Sequence, residues 1–274
     1  MNFVVQPVSA AQAVEAARLG GAASLEQAGA RAYRLRGGTA NPAVLAYAKA
    51  HRFDLAVVGE GLRFADLKLL AMDMDSTLIT IECIDEIGDL AGKKSEIAAI
   101  TARAMRGEID YAQSLRQRVG LLAGLGLDAL ERVYRERLKL SPGAETLIAA
   151  CRKHGVKLLL VSGGFTFFTE RLKQRLGIDY TISNELELSS GRLTGGLVGR
   201  IVDAEAKASR FREVAHALGA AKNQTVAIGD GANDLKMMSE AGFSVAYRAK
   251  PVVKANASCS LDNSGLDGVL NLFE

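Results

Sequence analysis

The sequence is poor in residues on which several classes of protein depend. Its 274 residues include only three cysteines, which are far apart and show no metal-ligand spacing. We therefore expect reduced thiols in a cytoplasmic protein, and neither a disulfide framework nor a cysteine zinc site. Three histidines occur, and none stands near a serine or cysteine that it could activate. This argues against histidine-based hydrolysis.

Aromatic residues and uncompensated charge are also scarce. Aromatics make up 5% of the chain, the net charge is only +3 and no basic run occurs, which argues against a nucleic-acid partner. No apolar run approaches the roughly 20 residues of a membrane helix, and the amino terminus has no charged segment before an apolar one. We therefore expect a small-molecule partner and no membrane association.

What the chain does have is enough apolar sequence for a sizeable core, with 49% hydrophobic residues and only 4 prolines. Over residues 1–64, extended apolar segments alternate with helical ones, in the order NFVVQP, SAAQAVEAARL, ARAYRLRG, NPAVLAYAKAHRF and DLAVVG. This alternation predicts a small amino-terminal α/β domain. It contains no catalytic constellation.

A second pattern begins near residue 65. Short apolar runs that end in polar or glycine-rich residues follow one another as LKLLAMD, VKLLLVSGG, TVAIGDG and FSVAYR. Runs that are apolar on both faces and separated by helical stretches are typical of a parallel sheet covered by helices, where ligands bind at the carboxyl ends of the strands. We assign residues 65–78 and 142–274 to this α/β core.

The segment 79–141 is rich in helix formers and too long for one crossover, so it predicts a helical cap over the strand ends. In SPGAE, Ser141 is predicted to cap the following helix, with Pro142 at its first position. The segment ELELSSGRLTGGLVGRIV alternates in polarity and turns around residues 189–192. It predicts a β-hairpin.

The first segment with chemical potential is DMDST, in which Asp73 and Asp75 follow an apolar run. A spacing of two places both carboxylates on one side of a continuing strand. Two bare carboxylates would repel each other, so the pair requires either a divalent cation or separate roles as nucleophile and proton carrier. A strand end with a capped turn is the alternative that this segment alone leaves open.

Two further polar segments follow predicted strands. In SGGF, the Ser162 hydroxyl and the Gly163 amide could surround phosphate oxygens, although glycine turns after strands are common. In GDGANDLKMM, Asp230 and Asp234 are four apart, with Asn233 beside them. Acids from these strand ends would converge, and a cluster of hard oxygen ligands suits Mg²⁺. A solvated acidic turn is the alternative for this last segment.

Taken in order, DMDST, VSGGF, the lysine of DAEAK and GDGAND resemble the motifs of the haloacid dehalogenase (HAD) superfamily, and within it the phosphoserine phosphatase family. The resemblance covers residues 67–262, cap included. It implies a three-layer, Rossmann-like parallel sheet core with a helical cap. It also implies Mg²⁺-dependent hydrolysis of O-phospho-L-serine to L-serine, the last step of serine biosynthesis.

The resemblance also implies roles for the polar residues. Asp73 would attack phosphorus to give an aspartyl-phosphate, and Asp75 would protonate the departing serine oxygen and then take a proton from water. Magnesium would be held by the Asp73 side chain, the Asp75 backbone carbonyl and Asp230. The residues expected to bind phosphate or to orient the metal's water are Ser162, Gly163, Lys207, Asn233 and, for the water, Asp234. On sequence alone, Lys207 could equally be a solvated helix lysine.

Substrate choice is expected to come from the cap. Glu82, an acid within the apolar LITIECIDEIG, matches the family residue that binds the substrate ammonium. A helix over YAQSLRQRVGLL would place Arg118 in an apolar stripe with Tyr111 while Arg116 points away. The family uses this arginine for the substrate carboxylate. An internal salt bridge between Glu82 and Arg118, or an arginine whose stem packs on the apolar surface, is the alternative.

Three further readings stay open. The same chemistry could act on another small phosphate ester or transfer the phosphoryl group to an alcohol. From a different class, the chain could be a non-catalytic amino-acid sensor, although a sensor needs no nucleophile or metal cluster. The amino-terminal domain looks like a shortened ACT-like module, which implies regulation or a possible homodimer.

Overall fold

We describe the fold from a computed structural model that covers residues 1–274. The amino-terminal domain contains β1 (Asn2–Gln6), α1 (Ala10–Gly20), β2 (Ser24–Gly29), β3 (Ala32–Arg36), α2 (Pro42–His51) and β4 (Asp54–Val58). Its antiparallel sheet has the order β2-β3-β1-β4, and this βαββαβ arrangement is that of ferredoxin-like units. Strand β2 was not predicted, because SLEQAG is largely exposed and shows no apolar alternation.

Both helices of this domain begin where their sequence provides a cap. Ser9 accepts a hydrogen bond from the Gln12 N–H, and the Gln12 side chain accepts one from the Ser9 N–H in return. The Asn41 side chain accepts from the Ala43 and Val44 N–H groups ahead of α2. These caps satisfy backbone donors that have no partner within the helix.

The larger unit is a seven-stranded sheet with the order β11-β10-β9-β5-β6-β7-β8. Its strands are β5 (Leu69–Asp73), β6 (Lys157–Phe165), β7 (Tyr180–Ser189), β8 (Arg192–Val198), β9 (Thr225–Gly229), β10 (Phe243–Tyr247) and β11 (Cys259–Leu261). All neighbours pair in parallel except β7 and β8, which form the predicted hairpin. The predicted α/β fold with a parallel sheet core is confirmed.

Helices cover both faces of this sheet, and the burial along β5 shows why. Leu70 and Met72 belong to one apolar cluster, whereas Leu69 and Ala71 belong to another. Alternate side chains of a strand point to opposite faces, so both faces are buried. The covering helices are α7 (Ala144–His154), α8 (Thr166–Leu176), α9 (Ala204–Ala217), α10 (Leu235–Glu240) and α11 (Pro251–Lys254).

Between β5 and α7, the chain forms the four helices α3 (Cys83–Leu90), α4 (Lys94–Met105), α5 (Tyr111–Gly120) and α6 (Leu127–Arg132). This helical segment pairs with the β7–β8 hairpin. The Gly124 N–H donates to the Leu193 carbonyl at 2.8 Å, and the Leu193 N–H donates to the Leu125 carbonyl at 2.8 Å. No helix of the chain is both long enough and apolar enough to span a membrane.

The prediction that Ser141 caps the next helix is wrong. Helix α7 starts at Ala144, and Gly143 precedes it with a φ of 79°. The Ala144 N–H donates to the Ser141 carbonyl, so residues 141–144 form a turn with Pro142 and Gly143 at its centre. Proline followed by a residue with positive φ is typical of a type II turn, which the glycine accommodates without strain.

The amino-terminal domain is docked on the carboxyl-terminal end of the core. Val4 and Val58 belong to the same apolar cluster as Leu266 and Phe273. Arg34, which is buried, donates to the backbone carbonyls of Asn271 and Phe273. The two units therefore share one apolar core.

Candidate active site

The site lies at the carboxyl end of β5. Asp73 is the last residue of that strand, and residues 74–78 form a wide turn that places Asp75 beyond it. Within the turn, Ser76 adopts a φ of 59°, which is uncommon for a residue other than glycine. The Thr77 hydroxyl donates to Asp230 Oδ1 at 3.1 Å. The DMDST segment is thereby joined to the loop after β9.

Lys207 connects the acids at the centre of the site. It lies in α9, whose N-cap residue Asp203 accepts from the Ala206 N–H. Its ammonium donates to Asp73 Oδ1, and also to Asp234 Oδ1 at 2.8 Å. Burial works against the charged ammonium, but the carboxylates of Asp234 and Asp73 outweigh it and raise the pKa of Lys207. Lys207 is therefore a buried cation between two carboxylates.

Asp73 has one oxygen occupied and one free. Oδ1 accepts from Lys207, whereas Oδ2 makes no hydrogen bond with the protein. Burial is the main reason why the pKa of Asp73 lies well above its usual range, since the lowering effect of Lys207 is opposed by Asp234, Asp230 and Asp75. The free oxygen has the position and chemistry of a nucleophile.

Asp75 has a different environment from Asp73. Its Oδ1 accepts from the Cys83 N–H at 3.1 Å, at the start of α3. Burial, followed by the charge of Glu82, raises the pKa of Asp75 to about 7. A carboxyl with a pKa near neutrality can both give and take a proton, which suits general acid–base catalysis.

The loop after β9 is held by Asp234. Its Oδ2 accepts from the N–H groups of Asp230 and Gly231 at 3.2 and 3.0 Å, while Oδ1 accepts from Lys207. Both oxygens of this fully buried carboxylate are therefore used inside the protein. Asn233 lies over Gly231, where an added Cβ would meet the Asn233 Oδ1 at 2.3 Å.

These residues fit a divalent cation. Carboxylate oxygens of Asp73, Asp230 and Asp234 all lie within 4.8 Å of one another. Burial, then the charges of Asp234 and Glu82, raises the pKa of Asp230 to about 6, although the charge of Lys250 acts in the opposite direction. Asp73 and Asp230 each keep one oxygen free of protein hydrogen bonds. Hard oxygen ligands of this kind suit Mg²⁺.

The SGGF segment lies against Asp75. Ser162 is fully buried, and its Oγ accepts from the Gly164 N–H at 2.8 Å. The hydroxyl hydrogen of Ser162 is therefore free to donate to a ligand. A Cβ on Gly164 would lie 2.8 Å from Asp75 Oδ2, and one on Gly163 would lie 2.3 Å from the Tyr111 hydroxyl. Only glycine allows this close approach without displacement.

The helical segment between β5 and α7 carries both predicted substrate residues and does not pair them with each other. Glu82 is exposed, and its Oε1 accepts from the Ser76 hydroxyl at 2.7 Å. Arg118 forms no ion pair within 4 Å and its buried Nε has no hydrogen-bond partner, although its charge partly offsets the burial that raises the pKa of Asp85. The alternative of a salt bridge between these two residues is therefore not what the structure contains.

Two residues that contact this site were not identified from the sequence. Ser76 orients Glu82, and Asn184 donates to the Gly163 carbonyl at 2.8 Å. Asn184 lies in β7, directly before the segment predicted to form the hairpin, and a single polar residue there gives no distinguishing signal in the sequence. Only the approach of β7 to the SGGF segment reveals its contact.

Comparison with known proteins agrees with this geometry. The family model of haloacid dehalogenase-like hydrolases matches residues 70–239. A phosphoserine phosphatase from a Polaromonas species is 56% identical over 218 residues, which cover 78% of this chain and 92% of the relative. A phosphoserine phosphatase from Vibrio cholerae is 48% identical over 202 residues, covering 74% of this chain and 61% of the relative.

Solved structures extend the comparison beyond the catalytic core. The unliganded crystal structure of a probable phosphoserine phosphatase from Vibrio cholerae superposes with a TM-score of 0.86 at 39% identity, and covers 99% of this chain and 85% of that one. A substrate-bound phosphoserine phosphatase gives a TM-score of 0.71 at 36% identity over 76% of this chain and 99% of that one. The chain belongs to the haloacid dehalogenase-like hydrolase family, among its phosphoserine phosphatases.

Proposed function

We propose that this chain hydrolyses O-phospho-L-serine to L-serine and phosphate, as the last step of L-serine biosynthesis. The observation that carries the proposal is the state of Asp73, which has one oxygen held by Lys207 and the other free at the strand end. The phosphoserine phosphatases to which this chain is similar support the choice of reaction and substrate. The acidic residues at the strand ends would carry out the reaction, and Glu82 and Arg118 would bind the substrate.

In the first step, Asp73 Oδ2 attacks phosphorus and the bond from phosphorus to the serine oxygen breaks. Asp75 gives its proton to that oxygen as it departs. The products are an aspartyl-phosphate on Asp73 and neutral serine hydroxyl. A pKa of about 7 makes Asp75 suitable, because part of the population holds the proton at neutral pH.

In the second step, Asp75 takes a proton from a water molecule, whose oxygen attacks phosphorus. The bond from phosphorus to Asp73 breaks, so phosphate leaves and the free carboxylate returns. Asp75 ends this step protonated, which is the form that the next turnover requires. Separate environments for the two aspartates therefore support separate roles.

Charge on the phosphoryl group requires donors that are fixed before the reaction. Lys207 holds its ammonium beside Asp73, and Ser162 has a free hydroxyl hydrogen. We further assign phosphate oxygens to the Gly163 N–H and to Asn233. Magnesium, when bound, would supply additional positive charge, and we assign it to the Asp73 side chain, the Asp75 backbone carbonyl and Asp230, with Asp234 orienting the metal's water.

Selection of an amino-acid phosphate would rest on the cap. Glu82 offers a carboxylate, oriented by Ser76, to an ammonium group. Arg118 offers a guanidinium that forms no ion pair within 4 Å and whose buried Nε has no hydrogen-bond partner. A charged group with no partner inside the protein favours a ligand that brings one, and here that ligand would bring a carboxylate.

We also propose that residues 1–64 form an ACT-like unit that regulates the enzyme or joins two copies, with residues 79–141 as the cap. A cleft of about 370 Å³, lined mostly by polar residues, lies where this unit meets the core and could accept a small polar ligand. Sedimentation with and without L-serine tests whether this unit joins two copies and whether serine changes their association.

The cytoplasmic assignment is supported by three free, buried cysteines.

The decisive experiment is phosphate release from O-phospho-L-serine with and without added Mg²⁺. A panel of other phosphorylated metabolites, assayed with and without alcohols, tests the alternatives of a different phosphate ester or an acceptor alcohol. The proposal requires phosphoserine to give the highest kcat/KM of the panel, with water as the acceptor. If another ester is preferred by tenfold or more, the substrate assignment is wrong while the chemistry stands.

A further inference from the structure

Asn184 joins two segments of the site through the two ends of its side chain. It is almost fully buried in β7. Its Nδ2 donates to the Gly163 carbonyl at 2.8 Å, and its Oδ1 accepts from the Val202 N–H at 2.8 Å. The first partner belongs to the SGGF segment. The second lies just before α9, the helix that carries Lys207.

The contact with Gly163 fixes one peptide unit at both of its polar groups. The carbonyl of Gly163 accepts from Asn184, and the Tyr111 hydroxyl approaches the same oxygen at 3.4 Å. The N–H of that peptide, which belongs to Gly164, donates to Ser162 Oγ at 2.8 Å. The orientation of this peptide therefore decides which lone pair of Ser162 is used and where its hydroxyl hydrogen points.

A peptide between two glycines has little intrinsic preference for one orientation, because glycine has access to positive and negative φ alike. If it reversed, a carbonyl oxygen would take the place of the N–H beside Ser162. The serine would then donate its hydrogen to that oxygen and no longer to phosphate. The hydrogen bond from Asn184 opposes this reversal, since the reversed peptide leaves the buried amide without an acceptor.

We propose that Asn184 is a positioning residue, which fixes the Gly163–Gly164 peptide so that the SGGF segment binds the phosphoryl group. The inference rests on the proposed phosphatase function. Asn184 does not touch the reacting atoms in this proposal. It acts through Gly163 and Ser162, and it affects binding of the phosphate end of the substrate only.

The amide allows the two contacts to be separated. Asn184→Asp keeps an oxygen to accept from Val202 but replaces the donor to Gly163 with a second oxygen, which repels the carbonyl. Asn184→Ala removes both contacts without adding charge. If the contact with Gly163 matters, the aspartate variant is at least as impaired as the alanine variant. If only the contact with Val202 matters, the aspartate variant resembles the wild type.

The test compares product inhibition by inorganic phosphate and by L-serine in the full-length, Mg²⁺-loaded enzyme. For both variants we expect kcat/KM for phosphoserine to fall about 10- to 100-fold, as for the loss of an oriented donor. The inhibition constant for phosphate should rise about 10-fold or more, while that for L-serine stays within about 2-fold. A general loss of structure would change both inhibition constants together.

Thr169→Val is the matched control. Its hydroxyl is fully buried and hydrogen-bonds to Ser183, the neighbour of Asn184 on β7, at 2.7 Å. This variant also deletes a buried polar contact, but one that does not reach the SGGF segment. It should retain the phosphate inhibition constant of the wild type.

The outcomes separate the two proposals. A wild-type enzyme that releases no phosphate from phosphoserine contradicts the proposed function. An active wild type with Asn184→Ala unchanged in phosphate inhibition contradicts the positioning role. If Asn184→Asp does not fold, the alanine variant decides by itself.

Discussion

Lys207 and Asp234 form a buried pair in which the ammonium nitrogen lies 2.8 Å from Oδ1 of the carboxylate. The same nitrogen donates to Asp73, and both Lys207 and Asp234 are almost completely excluded from solvent. Asp234 also holds the loop after β9 through its other oxygen. One lysine thus connects Asp73 to the loop that carries Asp230.

Replacement of Lys207 by Met is expected to abolish activity and to reduce the free energy of unfolding by about 3 kcal/mol or more. The physical reason is that two buried carboxylates lose the only ammonium between them. Urea denaturation measures the change. Lys236→Met is the control, because its exposed pair with Glu205 should contribute less than about 1 kcal/mol. Equal effects of the two substitutions would contradict the assignment.

Asp73→Asn is expected to lower kcat by at least about 1,000-fold while the fold remains intact. An amide oxygen is a poor nucleophile, and it also gives up half of the ion pair with Lys207. Phosphate release and circular dichroism measure the two parts of the prediction. Asp66→Asn, at an exposed position, should retain full activity. More than trace activity in this variant would show that Asp73 is not the nucleophile.

Arg118→Ala is expected to lower kcat/KM for phosphoserine about 30-fold or more, the effect of losing roughly 2 kcal/mol of a charged contact. Hydrolysis of an aryl phosphate, which has no carboxylate at that position, should change far less. Arg116→Ala provides the control, since Arg116 is exposed on the same helix. Equal losses for the two substrates would contradict a role in specificity.

Removal of Mg²⁺ with EDTA is expected to abolish phosphate release, and added Mg²⁺ to restore it. The cation should also stabilise the fold, by about 2.7 kcal/mol when its concentration is 100 times its dissociation constant. Thermal unfolding at several Mg²⁺ concentrations measures this. Asp230→Asn should weaken the shift, because one free carboxylate oxygen is lost. A melting temperature independent of Mg²⁺ would argue against a site in this cluster.

Asp54→Ala is expected to destabilise the whole protein by about 3 kcal/mol, because two buried and three partly buried donors lose their acceptor. The Asp54 carboxylate accepts from the N–H groups of Asp262, Asn263 and Ser264, and from the Asn263 and Ser264 side chains. Calorimetry should then show one transition at a lower temperature. A separate early transition of the amino-terminal domain would instead show that the two units unfold independently.

The sequence by itself determined the fold class and the set of polar strand ends. A parallel sheet brings the carboxyl ends of its strands to one edge, so the order of apolar runs was sufficient to place Asp73, Ser162 and Asp230 together. The start of helix α7 was predicted incorrectly, because Pro142 and Gly143 form a turn and the helix begins only at Ala144. Strand β2 was missed because its residues are mostly exposed.

Tertiary structure alone decided which polar groups pair with which. No local pattern distinguishes Lys207 from other lysines, links Asn184 to Gly163, or carries Asp54 to the loop at 262–264. Each of these contacts joins segments that are distant in sequence. A buried polar group must find a partner wherever packing places one, and that placement follows from the whole fold and not from any short segment.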